Sequence, residues 1–412
     1  MPNKTEEMRV EWIVPVKRLV CALQTAGFDT VAVGGCVRDS LLCKEPHDWD
    51  LATSASWEQV KAVLSPICAV YETGTAHGTV TAVLHDVPVE ITTFRIDGVY
   101  QDGRHPDGVT FTTDVNKDLA RRDFTVNAMA FDGVQLIDPF GGQADLHAGV
   151  IRCVGNPEDR FFEDGLRIVR ALRFAATLSF SIEPNTAQAV HRQKQRLSLV
   201  APERIGSEFQ RLLCGVNAGA ILSDYWDVIE RFFPIPYSAQ AVDALFHAAA
   251  DVSVRLGILG IGADQSGEEM EAVLRALRLP RLLCEAVSFL CDHADLTLPD
   301  TRIAARKFRS VCGMYTEQML AVLCAYSAAN GKDGEQQAQQ AKMLVALSEA
   351  ADDCVCRAQL AIDGRTLQTI CGLSGRQIGA SLSELVNAVM EERVENTKEA
   401  LIQYVQQAIT QL

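Results

Sequence analysis

The sequence predicts an α+β protein: a small N-terminal head of mixed α/β character, with an antiparallel-rich sheet plus helices, followed by an extended all-helical neck, body and tail. Three observations carry this. Up to about residue 150, short runs rich in β-branched residues alternate with turn residues. After residue 155 the strand signals stop, and from Arg160 onward the chain reads as helices. There is also no internal repeat at a fixed period, which sets aside a solenoid. The 412 residues allow two to four domains, and the divisions fall at 1–150 (head), 151–215 (neck), 216–350 (body) and 351–412 (tail).

In chain order, Val14 to Ala26 has helical spacing, and Thr30 to Val33 is a short β run ending at Gly34-Gly35. Thr79 to Leu84 and Val87 to Phe94 are β-rich runs joined at His85-Asp86, the pattern of a hairpin. Val109 to Thr113 is a further strand. The polar, glycine-containing segment Asp97 to Asp107 reads as a mobile loop. Beyond Arg160 the helices are broken at Glu183-Pro184-Asn185, Ala201-Pro202 and Phe233-Pro234-Ile235-Pro236. Gly257 to Gly267 is glycine-rich and reads as a loop. Asn330 to Gln340 is polar and reads as a flexible connection or an exposed helix start. The stretch Glu163 to Arg173 reads as one helix, with Leu166, Ile168, Val169 and Leu172 on its apolar side.

Composition narrows the classes. No run of 18 apolar residues occurs, so no bilayer-spanning segment is expected. Met1 to Glu11 is polar and lacks the apolar core of a secretory leader. The thirteen cysteines form no CxxC pair and read as free thiols of a reducing, cytoplasmic compartment. A net charge of −15 argues against a protein that coats nucleic acid indiscriminately. Two basic islands remain compatible with gripping RNA at chosen places: nine Lys or Arg against five Asp or Glu between Arg160 and Arg211, and the run Arg302, Arg306, Lys307, Arg309. The eight dispersed histidines do not suit a histidine-rich metallohydrolase.

Two features carry chemistry. In Val31-Ala-Val-Gly-Gly-Cys-Val-Arg-Asp39, a β run ends in Gly34-Gly35 before a helical segment bearing Arg38, an arrangement able to cradle phosphate on backbone N–H groups. In His47-Asp-Trp-Asp-Leu51, a strand puts Asp48 and Asp50 on one face and Trp49 on the other. Side-by-side carboxylates repel unless a cation lies between them, and a pair of Mg2+ ions serves. Glu90, on a neighbouring strand, is the favoured third carboxylate, with Asp86, Asp97 and Asp102 as alternatives. Taken alone, the glycines are also an ordinary turn and the Asp-x-Asp a cap.

Together, Gly34-Gly-x-Val-Arg-Asp39 and Asp48-x-Asp50 resemble the signature of polymerase-β-like nucleotidyltransferases, and more narrowly the class II tRNA CCA-adding enzymes and bacterial poly(A) polymerases. The resemblance continues through Asp118-Leu-Ala-Arg-Arg-Asp-Phe-Thr-Val-Asn-Ala-Met-Ala130 and Asp138-Pro-Phe-Gly-Gly142. It then covers Arg160-Phe-Phe-Glu-Asp-Gly-Leu-Arg-Ile-Val-Arg-Ala-Leu-Arg-Phe174 and Pro202-Glu-Arg-Ile-x-x-Glu208, spanning roughly residues 30 to 215. It implies attack of a tRNA 3′-hydroxyl on the α-phosphorus of CTP or ATP, with Asp48 and Asp50 holding Mg2+ and Glu90 assisting. It further implies nucleotide contacts from Gly34, Gly35, Arg38, Asp123, Asn127, Arg170, Arg173 and one of Arg121 and Arg122. Asp164 and Arg167 would act as a template in protein form. Cytosine and adenine both offer an amino donor beside a ring-nitrogen acceptor, which an aspartate and an arginine complement, whereas guanine and uracil do not.

Thr75-Ala-His-Gly-Thr-Val-Thr81 resembles the CCA branch, and the loop at Asp97 to Asp107 resembles that of enzymes able to add A. A dedicated A-adding or CC-adding enzyme, a poly(A) polymerase and an inactive RNA-binding relative are the alternatives. RNA would lie along the helical remainder, with Arg302 to Arg309 and the turn holding Gly372, Gly375, Arg376 and Gly379 as candidate contacts; that turn reads equally as a helix-capping turn with a solvated arginine. Oligomeric state is not legible.

Overall fold

The computed structural model describes residue 10, residues 12–98 and residues 108–410. Most of the N-terminal segment and residues 99–107, Asp102 among them, lie outside that set. The chain divides into two compact units, Met1–Pro234 and Ile235–Leu412.

The first unit is built on a seven-stranded sheet. Its strands are β1 (Thr30–Val33), β2 (Trp49–Thr53), β3 (Ala69–Gly74), β4 (Thr79–Leu84), β5 (Val87–Thr93), then β8 (Ala130–Phe131) and β9 (Leu136–Ile137). Between these come β6 (Arg95–Asp97) and β7 (Val109–Phe111), which pair separately. The spatial order is β3-β4-β5-β2-β1-β8-β9, and only β2 and β5 run parallel. His85 and Asp86 both adopt positive φ, 52° and 61°, the two-residue turn whose twist matches a right-handed hairpin. The turn sets the register Leu84 opposite Val87.

Helix α1 (Val14–Thr25) buries Val16, Leu19, Val20 and Leu23, one stripe at i, i+3, i+4 and i+7. Also in the head are α2 (Gly35–Leu41), α3 (Trp57–Leu64), α4 (Val115–Ala120) and α5 (Gly142–Ala148). A core of Val31, Val33, Ala52, Phe94, Leu119 and Ala130 fixes β1 and β2 against α4.

The helical continuation comprises α6 (Pro157–Glu163), α7 (Leu166–Leu178), α8 (Pro184–Gln193) and α9 (Pro202–Leu213). The breaks at Pro184 and Pro202 are helix starts, where a missing N–H costs nothing. Two expectations are corrected here. Strands do not end at 155: β10 (Val150–Ile151) pairs in parallel with β11 (Ser181–Ile182), too short to leave a pattern. Glu163 to Arg173 is also not one helix. Asp164 sits in extended backbone, φ −142° and ψ 108°, and its carboxylate accepts the N–H of Leu166, so α6 ends and α7 restarts.

The second unit is helical throughout its described residues. Gly257 to Gly267 is not a loop. Val252–Gly262 is a helix whose Gly257 and Gly260 admit close neighbours, since a Cβ there would fall 2.7 Å from Leu290 Cδ1 and from Cys291 Sγ. Asn330 to Gln340 contains a helix start, at Lys332 of Lys332–Ala350. A separate core of Leu360, Ile362, Leu367, Leu385, Leu401 and Val405 organises the C-terminal helices. Gly372 (φ 68°) ends one of these and Gly375 (φ 52°) precedes the next, whose first residue is the exposed Arg376.

The second basic island is engaged in internal ion pairs. Arg302 and Arg306 both bond Asp353, Arg306 also bonds Glu392, Lys307 bonds Glu391, and Arg309 lies against Glu349. These cations clasp the Arg302–Cys312 helix to later segments of the same unit rather than presenting bare charge. All thirteen cysteines are free thiols. No helix among the described residues is long and apolar enough to cross a membrane.

Candidate functional site

β1 ends where Gly34 turns the chain with φ 75° and ψ −129°, a conformation that a side chain strains. The missing side chain matters twice, because a Cβ on Gly34 would lie 2.8 Å from Arg122 Nη1. The turn therefore receives a guanidinium rather than standing open. Gly35 begins α2, which carries Arg38 inward. Arg38 bonds Asn127 Oδ1 at 2.7 Å and both oxygens of Asp39 at 2.9 and 3.0 Å.

On β2, Trp49 is buried and Asp50 faces the other way, directly opposite Glu90 in the parallel register with β5. Burial and the Glu90 charge raise the Asp50 carboxyl above its usual range, Asp48 adds to the rise, and Arg122 opposes it. Asp48 precedes the strand. Its side chain is 85% exposed and bonds His47 Nδ1 at 3.1 Å. Among the described residues no three His, Cys, Asp or Glu side chains converge closely enough to enclose a metal ion. The oxygen-only set of Asp50 and Glu90, with Asp48 beside it, is nonetheless the donor chemistry of a hard divalent cation. The repulsion between Asp50 and Glu90 is what such a cation relieves. Asp86 lies in the hairpin turn, away from this register.

Asp118 on α4 is buried and bonds Arg121 Nη2 at 2.7 Å and Arg122 Nη2 at 3.4 Å. Burial would raise its carboxyl, but the two arginines outweigh burial and lower it. Arg121 and Arg122 thus share one anchor and differ in reach: Arg122 touches the Gly34 turn and the field of Asp50. Arg121 gives its carbonyl to Arg167 Nη2 at 3.0 Å.

Asp123 is the centre of a buried relay. Its Oδ2 accepts from Arg170 at 2.6 and 2.8 Å, and its Oδ1 from Asn127 Nδ2 at 3.2 Å. Asn127 in turn accepts from Arg38, so the relay joins α7 to α2. Burial opposes ionisation of Asp123, yet Arg170 holds its carboxyl down to about 2. Phe174 lies under three guanidinium groups, those of Arg38, Arg170 and Arg173, 3.7 to 5.3 Å from its ring centre.

These elements enclose an open cavity of about 330 Å3 lined by Arg121, Arg122, Asp123, Asp164, Leu166, Arg167, Arg170 and Arg204. Five arginines face two aspartates, a lining suited to a polyanion. The break between α6 and α7 positions one edge of it. Arg167 is held by Glu163 at 2.5 Å, and Asp164 by Arg204 at 2.9 Å. Arg173 is not part of the lining; it packs on Phe174 and lies 2.5 Å from Glu208 Oε2.

Arg204, Glu208, Glu163 and Phe174 act on the site without having been singled out as site residues. Their signal was present, since all four lie inside the quoted segments 160–174 and 202–208. Cysteine chemistry has no place here: burial raises Cys36, behind Asp50, to about 11 and Cys153 to about 12.

Three family models match the chain: Poly A polymerase head domain over residues 30–152, Probable RNA and SrmB- binding site of polymerase A over 179–234, and tRNA nucleotidyltransferase domain 2 putative over 258–405. The CCA-adding enzyme of Limosilactobacillus reuteri is 32% identical over 404 residues, covering 95% of this chain and 96% of its own length. That of Enterococcus faecalis is 34% identical over 419 residues, covering 98% and 96%. The crystal structure of the Bacillus stearothermophilus CCA-adding enzyme in complex with CTP matches with a TM-score of 0.79 at 28% identity, over 97% of this chain and 99% of its own. The Thermotoga maritima CCA-adding enzyme complexed with tRNA shares the fold, with a TM-score of 0.72 at 19% identity over 97% of each chain.

Proposed function

Because the chain belongs to the CCA-adding enzymes, the class II tRNA nucleotidyltransferases, we propose that its arginine-lined cavity selects the incoming nucleotide and that the carboxylates of β2 and β5 carry the transfer. The activity is template-independent addition of the 3′-terminal CCA to tRNA from CTP and ATP, with release of pyrophosphate. One observation carries the site assignment: Asp164 and Arg167 open onto the same cavity as Arg121, Arg122 and Arg170, and Arg122 connects that cavity to Asp50.

In this reading Asp164 accepts a hydrogen bond from the exocyclic amino group of cytosine or adenine, and Arg167 donates to the adjacent ring nitrogen. Guanine and uracil would set donor against donor and acceptor against acceptor. Arg121, Arg122 and Arg170 take the triphosphate, while Asp123 and Asn127 lie near the ribose. Gly34 and Gly35 let Arg122 and the backbone approach the phosphates. Arg38 and Arg173 act from behind, through Asn127, Phe174 and Glu208.

The family's chemistry uses a divalent metal. We take it as Mg2+, held by Asp48 and Asp50 with Glu90 assisting. When bound, such an ion lowers the pKa of the attacking hydroxyl and neutralises charge on the departing pyrophosphate. The head, neck, body and tail division at residues 150, 215 and 350 belongs to the same reading, and the separate C-terminal core supports its last part. A cytoplasmic location is supported by the thirteen free thiols.

The test is incubation of the protein and Mg2+ with tRNA transcripts ending before CCA, after C and after CC. Each receives CTP, ATP or both, with products resolved at single-nucleotide length. Growth to CCA followed by a stop is expected. Addition of A alone to the CC end, a halt at CC, or long ATP ladders would each replace this reading with a narrower or different polymerase. No extension would leave an RNA-binding relative.

A further inference from the structure

The last turn of α6 carries two adjacent phenylalanines with opposite fates: Phe161 is fully buried, whereas Phe162 is 54% exposed. One face of Phe162 is covered by the Arg196 guanidinium, 4.0 Å from the ring centre. Arg196 Nη2 also donates to the Phe162 carbonyl at 2.7 Å, which locks the two side chains together. The pair is anchored beside the nucleotide cavity. The backbone of Arg196 packs on Gly165, where a Cβ would lie 3.0 Å from the Arg196 carbonyl oxygen. Gly165 stands between Asp164 and Leu166, both of which line the cavity.

Arg196 is also unusual in charge. Of the nine cations between Arg160 and Arg211, seven contact a carboxylate. Among the described residues Arg196 has no such partner, and its Nε is buried without a hydrogen-bond acceptor. An aromatic face backed by an uncompensated guanidinium is the chemistry that holds a nucleobase and its phosphate. A residue that only ended α6 would need the carbonyl contact and not the exposed ring.

We infer that Phe162 and Arg196 form a stacking platform for an unpaired base near the growing 3′ end of the RNA, at the edge of the nucleotide cavity. The inference rests on the RNA-extending activity proposed above. Stacking is indifferent to base identity, so the platform would serve every stage of addition while Asp164 and Arg167 discriminate the incoming nucleotide. Phe162 is a binding residue in this scheme and takes no part in the chemistry.

The experiment compares wild-type, Phe162→Ala, Phe162→Trp and Arg196→Ala proteins in extending a CC-ended tRNA with ATP, using an intact transcript and one abasic at its last nucleotides. Phe162→Ala is expected to raise KM for intact RNA by about 5- to 150-fold, the range for losing one base–aromatic stack, with KM for ATP moving less than twofold. Phe162→Trp restores tight RNA use, and Arg196→Ala weakens it. On abasic RNA, wild-type and Phe162→Ala converge. Equal losses on intact and abasic RNA would overturn the platform and leave a local packing role, as would a parallel rise in KM for ATP or no change at all. If wild-type protein extends neither RNA, the activity itself is refuted; if it extends both and Phe162→Ala matches it, only the platform is.

Discussion

Replacing Asp123 by asparagine keeps the shape of the relay and removes its charge. Asp123 is buried and accepts four hydrogen bonds, two from Arg170, one from Asn127 and one from the Phe124 N–H. Holding the carboxyl at about 2 against an ordinary 3.8 is worth roughly 2 kcal/mol of stability at neutral pH. The folded value is the lower one, so this stability is present above about 3.8 and lost as pH falls toward 2. Breaking a buried pair costs about 3–5 kcal/mol, and Glu208, 3.5 Å from Arg170, softens that. Asp123→Asn should therefore cost about 2–4 kcal/mol, lowering the melting temperature of the first unit by roughly 5–15 °C. Urea and thermal unfolding at pH 7, 5 and 4 measure it. The gap to wild type should hold steady from pH 7 to pH 5. Asp123→Asn combined with Arg170→Met should recover at least half of the loss, because no buried cation is then orphaned. A double variant no more stable than the single one, or a gap that closes between pH 7 and pH 5, would refute the assignment of this energy to the Asp123–Arg170 pair.

Further outcomes follow from the same geometry. Asp164→Ala should lose discrimination against UTP and GTP and slow transfer by about 10- to 100-fold; single-nucleotide extension with each triphosphate checks it, and an unchanged preference would remove the template role. Asp50→Asn should nearly abolish transfer while raising metal-free stability by about 0.5–1 kcal/mol, since it relieves repulsion with Glu90. The raised carboxyl predicts that this gain shrinks as pH falls and Asp50 itself protonates; near-normal turnover in the variant would refute the metal assignment. Asp353→Asn should destabilise the second unit by about 1–2 kcal/mol by removing the charge that Arg302 and Arg306 share, Glu392 still compensating Arg306, which hydrogen exchange in the Arg302–Cys312 helix would report.

What was legible in the sequence was local. The hairpin at His85-Asp86 and the alternation of Trp49 and Asp50 follow from period-two patterning, and Glu90 falls beside Asp50 because neighbouring strands were recognised as such. What escaped depended on partners far along the chain. Asp164 interrupts a sequence with good helical spacing because its carboxylate caps Leu166 and meets Arg204, 40 residues away. Glycines at 257 and 260 resemble a loop until Leu290 and Cys291 are seen to need the space. The ion pairing of the island at Arg302 was not legible because Asp353 and Glu392 lie 47 and 86 residues downstream of Arg306.

The neutralised arginines bear on how a protein site can stand in for a nucleic-acid template. A base pair enforces geometry through a second strand; in the proposed reading, Asp164 and Arg167 would have to be fixed by the protein before the nucleotide arrives. Asp164 is tied to Arg204 and Arg167 to Glu163, so neither depends on substrate for its orientation. Such ties consume charge. Glu163, Glu208 and Asp118 cancel much of the attraction that Arg121 and Arg122 after α4 and the arginines of α6 and α7 would exert on RNA. If Asp164 and Arg167 select the base as proposed, selectivity for C and A would be gained at the expense of general affinity for phosphate. Attraction must then come from few uncompensated cations, and a net charge of −15 makes their placement decisive. Arg196, lacking a carboxylate and packed by its backbone on Gly165 next to Asp164, is where that requirement and the exposed ring of Phe162 coincide.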